Sequence, residues 1–343
     1  MSTTGSCNVG ASKSNDDDVC EVAGKLEKMK TAEDNEEEDV SVCANCGKEG
    51  ANNICNKCKM VTYCNAACKK KHRHKHKKQC EEHIRLAAEH AAKLHDEELF
   101  KQPPPQEEDC PICFLRLPTL DTGRRYKSCC GKIICSGCSY APVYDNQGNK
   151  VDDEKKCPFC RTPASTSEKE SIERDKKRME ASDPIAVCNI GTFHSQGIRG
   201  FPQDHTKALE YWHRAGEVGY SKAYAKIGVV YEFGGRGVEI DKTKANHYYE
   251  LSAMGGNAGA RFLLGCMEKR DAGAMKRALK HWMISVRSGH SNSLNKIRKL
   301  YSSGDATKDD YTKALQLYQE YLKEIKSVQR DKAAADREDY RYY

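Results

Sequence analysis

Long apolar runs are missing from this chain. No stretch approaches the roughly 20 apolar residues that a membrane-spanning helix requires. Hydrophobic residues make up only 38% of the 343, with mean hydropathy −0.81, and tryptophan occurs twice. Such a chain does not build one large core; small units held by metal or by repetition fit it better. The first residues lack the basic and apolar blocks of a secretory signal, so a cytoplasmic or nuclear protein in a reducing compartment, with no membrane, is expected. Residues 1–41 lack aromatics altogether and carry the runs Asp16-Asp17-Asp18 and Glu36-Glu37-Glu38-Asp39. They bury too little to offset their ordering entropy and read as a disordered acidic tail. Charge of one sign does not dominate: +7 over this length gives no reason to expect nucleic acid.

Cysteine is what the chain has in abundance, 19 in all. Eight of them form four close pairs between Cys110 and Arg161: Cys110/Cys113, the adjacent Cys129/Cys130, Cys135/Cys138 and Cys157/Cys160. Two thiolates two residues apart reach one Zn²⁺ from a tight turn, and four complete a closed tetrahedral site. In an intracellular chain this spacing points to metal rather than to disulfides. A second set lies upstream: Cys43, Cys46, Cys55, Cys58, Cys64, Cys68, His76 and Cys80. Cys64/Cys68 and His76/Cys80 are four apart, which on a helix puts each pair on one face. His72 and His74 are rival ligands. His74 faces away from Cys80 on a helix and His72 lies two turns off, so His76 is preferred. The two sets together predict four zincs per chain and leave Cys7, Cys20, Cys188 and Cys266 as free thiols.

The upstream register, with its Tyr63-Cys64 pair, resembles a MYND zinc finger over residues 42–80. The resemblance implies one zinc on Cys43, Cys46, Cys64 and Cys68 and another on Cys55, Cys58, His76 and Cys80. It also implies a module that binds short peptides of partner proteins. It departs from the family at Arg73, where a Trp is usual. The basic run Lys69 to Lys78 has no interleaved aromatics for stacking bases, and reads as the solvated face of a helix.

Residues 106–164 resemble a RING finger of the all-cysteine kind. The resemblance implies a cross-brace of Cys110, Cys113, Cys135 and Cys138 on one zinc, with Cys129, Cys130, Cys157 and Cys160 on the other. RING fingers mostly dock a ubiquitin-conjugating enzyme. The positions here that match the docking surface are Ile112, Pro158, Phe159 and Arg161, the last at the place of an Arg that holds the thioester ready for attack. The family often has a Trp or Leu a few residues before the last Cys pair. Here that region, 146–156, is polar, and Tyr140 or Tyr144 stands nearest.

Between and beyond the two sets the chain is helical in pattern. Ile84, Ala87, Ala88, Ala91, Leu94 and Leu99 follow helical spacing, so 81–105 reads as a helical linker ended by Pro103-Pro104-Pro105. Residues 165–182 read as an exposed charged linker. From 183 to 329 the chain repeats: Ala186, Gly191, Ala208, Trp212 and Gly219 recur as Ala223, Gly228, Ala245, Tyr249 and Gly256. They recur again as Ala260, Gly265, Ala278, Trp282 and Gly289, and last as Leu294, Ala314 and Tyr318. A period near 37 with small and aromatic residues at fixed places means stacked helix pairs, and the pattern resembles Sel-1-like repeats. Phe233-Gly234-Gly235-Arg236-Gly237 is then an interhelix turn rather than a phosphate loop, since no strand precedes it. Residues 330–343 read as a charged tail.

The expected fold is a pair of small zinc-stabilised α+β modules followed by an all-α helical-repeat solenoid. Once the zinc ligands are assigned, no Cys/His or Ser/His arrangement remains for a catalytic nucleophile. Two functions stand: a RING-type ubiquitin ligase that chooses substrates through its MYND and repeat surfaces, or a non-enzymatic scaffold or adaptor. In both, proteins or peptides are the partners.

Overall fold

The computed structural model describes residues 41–101, 109–141, 143–144, 150–151, 156–271 and 273–343. The acidic tail, Pro103-Pro104-Pro105 and most of the polar loop ahead of Cys157 lie outside them. The chain divides into two compact units between Ala91 and Ala92.

The first unit holds a short antiparallel pair, β1 (Asn53–Ile54) and β2 (Thr62–Tyr63), in the register Asn53↔Tyr63. Helix α1 (Ala66–Phe100) follows without a break. Cys64 therefore sits just ahead of α1 and not on it. The Asn65 side chain accepts from the Cys68 amide at 2.9 Å, as an N-cap does, and starts the helix there. Cys43, Ala51, Cys55, Tyr63 and Cys80 make the small core of this unit. The helical linker is the continuation of α1, and its apolar positions Ile84 and Leu94 are exposed while Leu99 is buried.

The second unit begins with the end of α1 and contains a cysteine-rich module and the helix array. In the module, β3 (Arg124–Lys127) pairs antiparallel with β4 (Lys132–Cys135), Arg124 opposite Cys135. The turn between them carries Cys129 and Cys130 and closes on Gly131 at φ +70°. A short helix, α2 (Ser136–Tyr140), follows, and then a hairpin of β5 (Val143–Tyr144) with β6 (Lys150–Val151).

The array starts earlier than the repeats suggest. Helix α3 (Glu168–Glu180), capped by Ser167, packs on α4 (Pro184–Gln196). Its Asp175 is buried and pairs with Arg199 at 3.4 Å, so this charged segment is a packed element and not an exposed linker. Then come α5 (His205–Glu217), α6 (Ser221–Phe233), α7 (Lys242–Met254), α8 (Ala258–Asp271), α9 (Met275–Arg287), α10 (Ser291–Ser303) and α11 (Lys308–Ile325). The successive pairs α4·α5, α6·α7 and α8·α9 form the repeating unit. In each, the recurring aromatic lies against the glycine of its own pair. A Cβ on Gly191 would stand 2.8 Å from the Trp212 ring, on Gly228 2.7 Å from Tyr249, and on Gly265 2.5 Å from Trp282. Bare glycine lets the two helices close on a large ring. The indole N–H groups of Trp212 and Trp282 donate to the carbonyls of Cys188 and Phe262 at 3.1 and 3.2 Å, so burying the rings strands no donor. Gly235 and Val238 bridge to each other in the α6–α7 connection, as expected of an interhelix turn.

The last residues are not a free tail. Helix α12 (Val328–Asp336) packs on α2 of the cysteine-rich module, and Arg330 and Tyr342 are buried. The module also meets the array elsewhere. Tyr126 donates to Asp183 at 2.8 Å, the Thr119 amide donates to the Tyr321 hydroxyl at 2.8 Å, the Thr119 hydroxyl donates to the Ser288 carbonyl, and Lys222 pairs with Asp121 at 2.9 Å.

Candidate metal centres

Four of the five Cys-x-x-Cys pairs are held by one kind of turn. The amide of the first Cys donates to a carbonyl five or six residues on: Cys43 to Lys48, Cys55 to Val61, Cys110 to Leu115 and Cys157 to Thr162, at 2.8–2.9 Å. The amide of the residue after the second Cys donates back to the first Cys carbonyl. Those residues, Gly47, Lys59, Phe114 and Arg161, all have positive φ, from 55° to 73°. Only the first is glycine. The other three carry the strain of a left-handed conformation because the turn over-determines them. The position after the pair was readable from the sequence; the conformation was not, since Lys, Phe and Arg rarely adopt it. The Cys135/Cys138 pair is built differently. Cys135 caps α2, its sulfur accepting from the Cys138 amide at 3.4 Å.

These turns, with β2, the β3–β4 turn and two turns of α1, bring the sixteen predicted ligands together as four groups. They are Cys43, Cys46, Cys64 and Cys68; Cys55, Cys58, His76 and Cys80; Cys110, Cys113, Cys135 and Cys138; and Cys129, Cys130, Cys157 and Cys160. Within each, the donor atoms lie within 4.8 Å of one another. A tetrahedron with Zn–S bonds of about 2.3 Å has sulfurs about 3.8 Å apart. The separations Cys46–Cys64 (3.6 Å), Cys55–Cys80 (3.8 Å), Cys113–Cys135 (3.8 Å) and Cys130–Cys157 (3.9 Å) match it. Disulfides need about 2.05 Å and do not fit.

The electrostatics ask for a cation. Burial works against the Cys43 thiolate, yet hydrogen bonds from the backbone of Cys64, Asn45 and Cys46 outweigh it and bring its pKa down to about 6. Its neighbour Cys64 is pushed up to about 12, first by its bond to Cys68 and then by burial. In the adjacent group Cys55 falls to about 6, where backbone bonds overcome burial, and Cys80 is pushed up to about 11 chiefly by burial. One thiol ionises easily and its neighbour resists, held back by burial and by its bonds to the other thiols of the group. A divalent ion at the centre removes that conflict.

His76 is buried, with Nε2 3.3 Å from Cys58 Sγ. His72 instead meets the Tyr63 hydroxyl through Nδ1 at 3.3 Å and stacks on His76. His74 is exposed, as are Lys70, Lys71, Arg73, Lys75, Lys77 and Lys78, the solvated helix face expected. Of the residues matching a docking surface, Ile112 is 36% and Phe159 41% exposed, Arg161 is exposed and Pro158 is half-buried. Tyr140 stands edge-on to Tyr340 with ring centres 6.0 Å apart. Of the unassigned cysteines, Cys188 is buried in the array, where burial pushes its thiol up to about 11, and Cys266 is half-buried.

Comparison with known proteins assigns two of these parts. Residues 43–80 match the MYND finger family, and residues 184–220, 221–257 and 299–320 match the Sel1 repeat. Cys110 to Cys160 lies outside both matches. The chain is 34% identical over 73 residues to the E3 ubiquitin-protein ligase GW2 of Oryza sativa, covering 21% of this chain and 15% of that protein. It is 41% identical over 56 residues to the E3 ubiquitin-protein ligase DA2 of Arabidopsis thaliana, covering 16% and 12%. The chain thus spans less than a sixth of the length of these relatives. Among solved structures, a Sel1 repeat protein from Oxalobacter formigenes is 31% identical over 47% of this chain and 67% of that one, with a TM-score of 0.42. The Escherichia coli antigen c5321 is 21% identical, over 50% of this chain and 37% of that one, with a TM-score of 0.40. A MYND finger implies zinc, and both it and Sel1 repeats are protein-interaction modules. The chain therefore carries a MYND finger followed, in its C-terminal half, by a solenoid of Sel1 repeats.

Proposed function

We propose that residues 106–164 are an all-cysteine RING-type finger and that the protein is a ubiquitin ligase. In this reading the finger recruits a charged ubiquitin-conjugating enzyme, and the MYND finger and the repeats select the substrate. All four groups hold zinc, four ions per chain in the pairings given above, and the ions are structural. A reducing compartment, cytoplasm or nucleus, suits such thiol sites. The carrying observation is the combination of two four-cysteine groups with an exposed apolar pair, Ile112 and Phe159, and an exposed Arg161 locked at φ +62°. The similarity to GW2 and DA2, both E3 ligases by name, supports it. The finger forms no bond to ubiquitin. Ile112, Pro158 and Phe159 offer apolar contact to the conjugating enzyme. The Arg161 fork bridges enzyme and ubiquitin and holds the thioester ready for attack.

The test is discharge of ubiquitin from a panel of charged conjugating enzymes by the full chain. Arg161→Ala and Ile112→Ala should slow discharge at least tenfold while leaving zinc content unchanged. No acceleration with any enzyme, from a zinc-loaded folded chain, would leave the scaffold reading. One observation favours that second reading: the finger is bonded into the repeat array through Tyr126, Thr119 and Asp121, as a structural part would be.

A further inference from the structure

Arg330 reaches the cysteine-rich module from the far end of the chain. It is fully buried. Nη1 donates to the carbonyls of Arg116 at 2.8 Å and Ile325 at 2.7 Å. Nη2 donates to the Leu115 carbonyl at 3.3 Å and lies 3.8 Å from Cys113 Sγ. Leu115 is the residue whose carbonyl closes the Cys110 turn, so one guanidinium grips both the turn and a sulfur that it presents. Its position is built in. Ser327 caps α12 by accepting from the Arg330 amide at 3.2 Å. On the facing helix Gly137 leaves space that a Cβ would fill, 2.9 Å from the Arg330 backbone nitrogen and Cγ. The neighbouring Gln329 side-chain oxygen is 3.9 Å from Cys138 Sγ, as acceptor. The segment is then tied down beyond α12. Tyr342 is buried with its hydroxyl on Asp331, Thr122 donates to the Arg341 carbonyl at 2.5 Å, and Arg125 pairs with Asp339 at 3.1 Å.

A buried guanidinium is expensive unless it meets negative charge and acceptors. Four thiolates around one divalent ion leave a net charge of about −2, and Arg330 stands against that charge. Arg suits the place where Lys does not, because its planar fork reaches a sulfur and carbonyls at fixed angles.

We infer that Val328–Tyr343 is a working part of the cysteine-rich module, with Arg330 as the positioning residue and counter-charge of the Cys110/Cys113/Cys135/Cys138 site. The inference rests on reading that group as a zinc site. It makes the module discontinuous in sequence, completed only when the repeat array has delivered the last helix to it.

The test uses the full chain as wild type, Arg330→Met, Arg330→Lys and Tyr342→Phe. The readout is the alkylation rate of each cysteine by N-ethylmaleimide, resolved by peptide mass spectrometry, with zinc per chain and helicity measured alongside. Loss of a group that orients a metal ligand typically costs 10–100-fold in affinity. Arg330→Met should therefore speed alkylation of Cys110, Cys113, Cys135 and Cys138 by about that factor, while Cys43, Cys46, Cys64 and Cys68 keep the wild-type rate. Unchanged rates in a chain of wild-type helicity overturn the inference. Should Arg330→Met lose helicity, Arg330→Lys and Tyr342→Phe decide. The first keeps stem and charge but loses the fork, and the second loosens α12 by one hydrogen bond. Wild-type rates in both overturn the inference. If wild-type Cys110 and its partners already react as free thiols and the chain holds two zincs, the zinc reading falls and the inference with it.

Discussion

At the scale of single residues, Gly228 carries the geometry of a whole repeat. A Cβ there would stand 2.7 Å from two ring carbons of Tyr249, and Tyr249 is fully buried with its hydroxyl donating to Glu232 at 2.8 Å. The ring is pinned at both ends and cannot retreat. Gly228→Ala gains about 1 kcal/mol of helix propensity but overpacks the site, which typically costs about 1–3 kcal/mol. A net loss is expected, read as a lower melting temperature of the helical signal; a higher one would mean that the helices can part. The recurrence of Gly191, Gly228 and Gly265 with Trp212, Tyr249 and Trp282 was legible in the sequence. Each ring lies against the glycine of its own helix pair, and Trp212 also joins the apolar cluster that includes Ala223 and Ile227 of the next pair. The metal-type groups were legible for a related reason: Cys and His have few other uses at such spacing. Arg330 was not legible. A lone Arg among charged residues looks like solvated surface, and nothing local betrays partners more than 200 positions away.

At the scale of elements, composition misleads where one buried contact redeems a polar helix. Helix α3 is charged along its length, and its place in the array depends on Asp175 meeting Arg199 and on Met179 joining the apolar cluster of α4, α5 and α6. The end of α1 is a similar case. Phe100 lies 4.6 Å from the His281 ring, Arg277 and Lys280 stand over the Phe100 ring, Arg277 pairs with Asp96, and Arg261 donates to the Leu99 carbonyl. His281 is fully buried, and neither ring nitrogen has a hydrogen-bond partner. Burial, then the charges of Arg261 and Arg277, depress its pKa to about 3, with Asp96 opposing. The unfolded chain binds a proton near pH 6.5, and the folded chain only near 3. Stability is therefore complete above about pH 6.5 and is lost progressively as pH falls toward 3. At pH 5 the loss is about 2 kcal/mol. His281→Leu should remove this dependence. Melting of the array helices at pH 7.5 and pH 5 should show a smaller drop in the variant than in wild type, and equal drops would place the acid sensitivity elsewhere.

At the scale of the whole molecule, the cysteine-rich module and the array are joined within the second unit. On the proposed reading, each closed zinc site supplies about 10 kcal/mol or more of folding free energy, far beyond what the few apolar residues around Leu117 and Ile134 provide. The array has separate apolar clusters of its own, centred on Trp212, on Tyr249 and on Trp282. The sequence showed both halves but not their union. That union consists of single contacts such as Thr119 to Ser288 and Tyr126 to Asp183, which leave no periodic trace. It makes a graded response to metal removal the expected one. A strong chelator under reducing conditions should raise amide hydrogen exchange across Val42–Cys80 and Cys110–Cys160, and most of the far-ultraviolet helical signal should persist in α4 to α9. The discriminating segment is Val328–Tyr343. It contains no metal ligand, but α12 is seated on α2 and Arg330 on the Cys110 turn, so its exchange should rise together with that of the finger. An unchanged α12 in a chelated chain would show that it is held by Ile325, Tyr321 and the rest of α11 alone. Loss of nearly all helix would show that the array itself depends on the cysteine-rich module to stand.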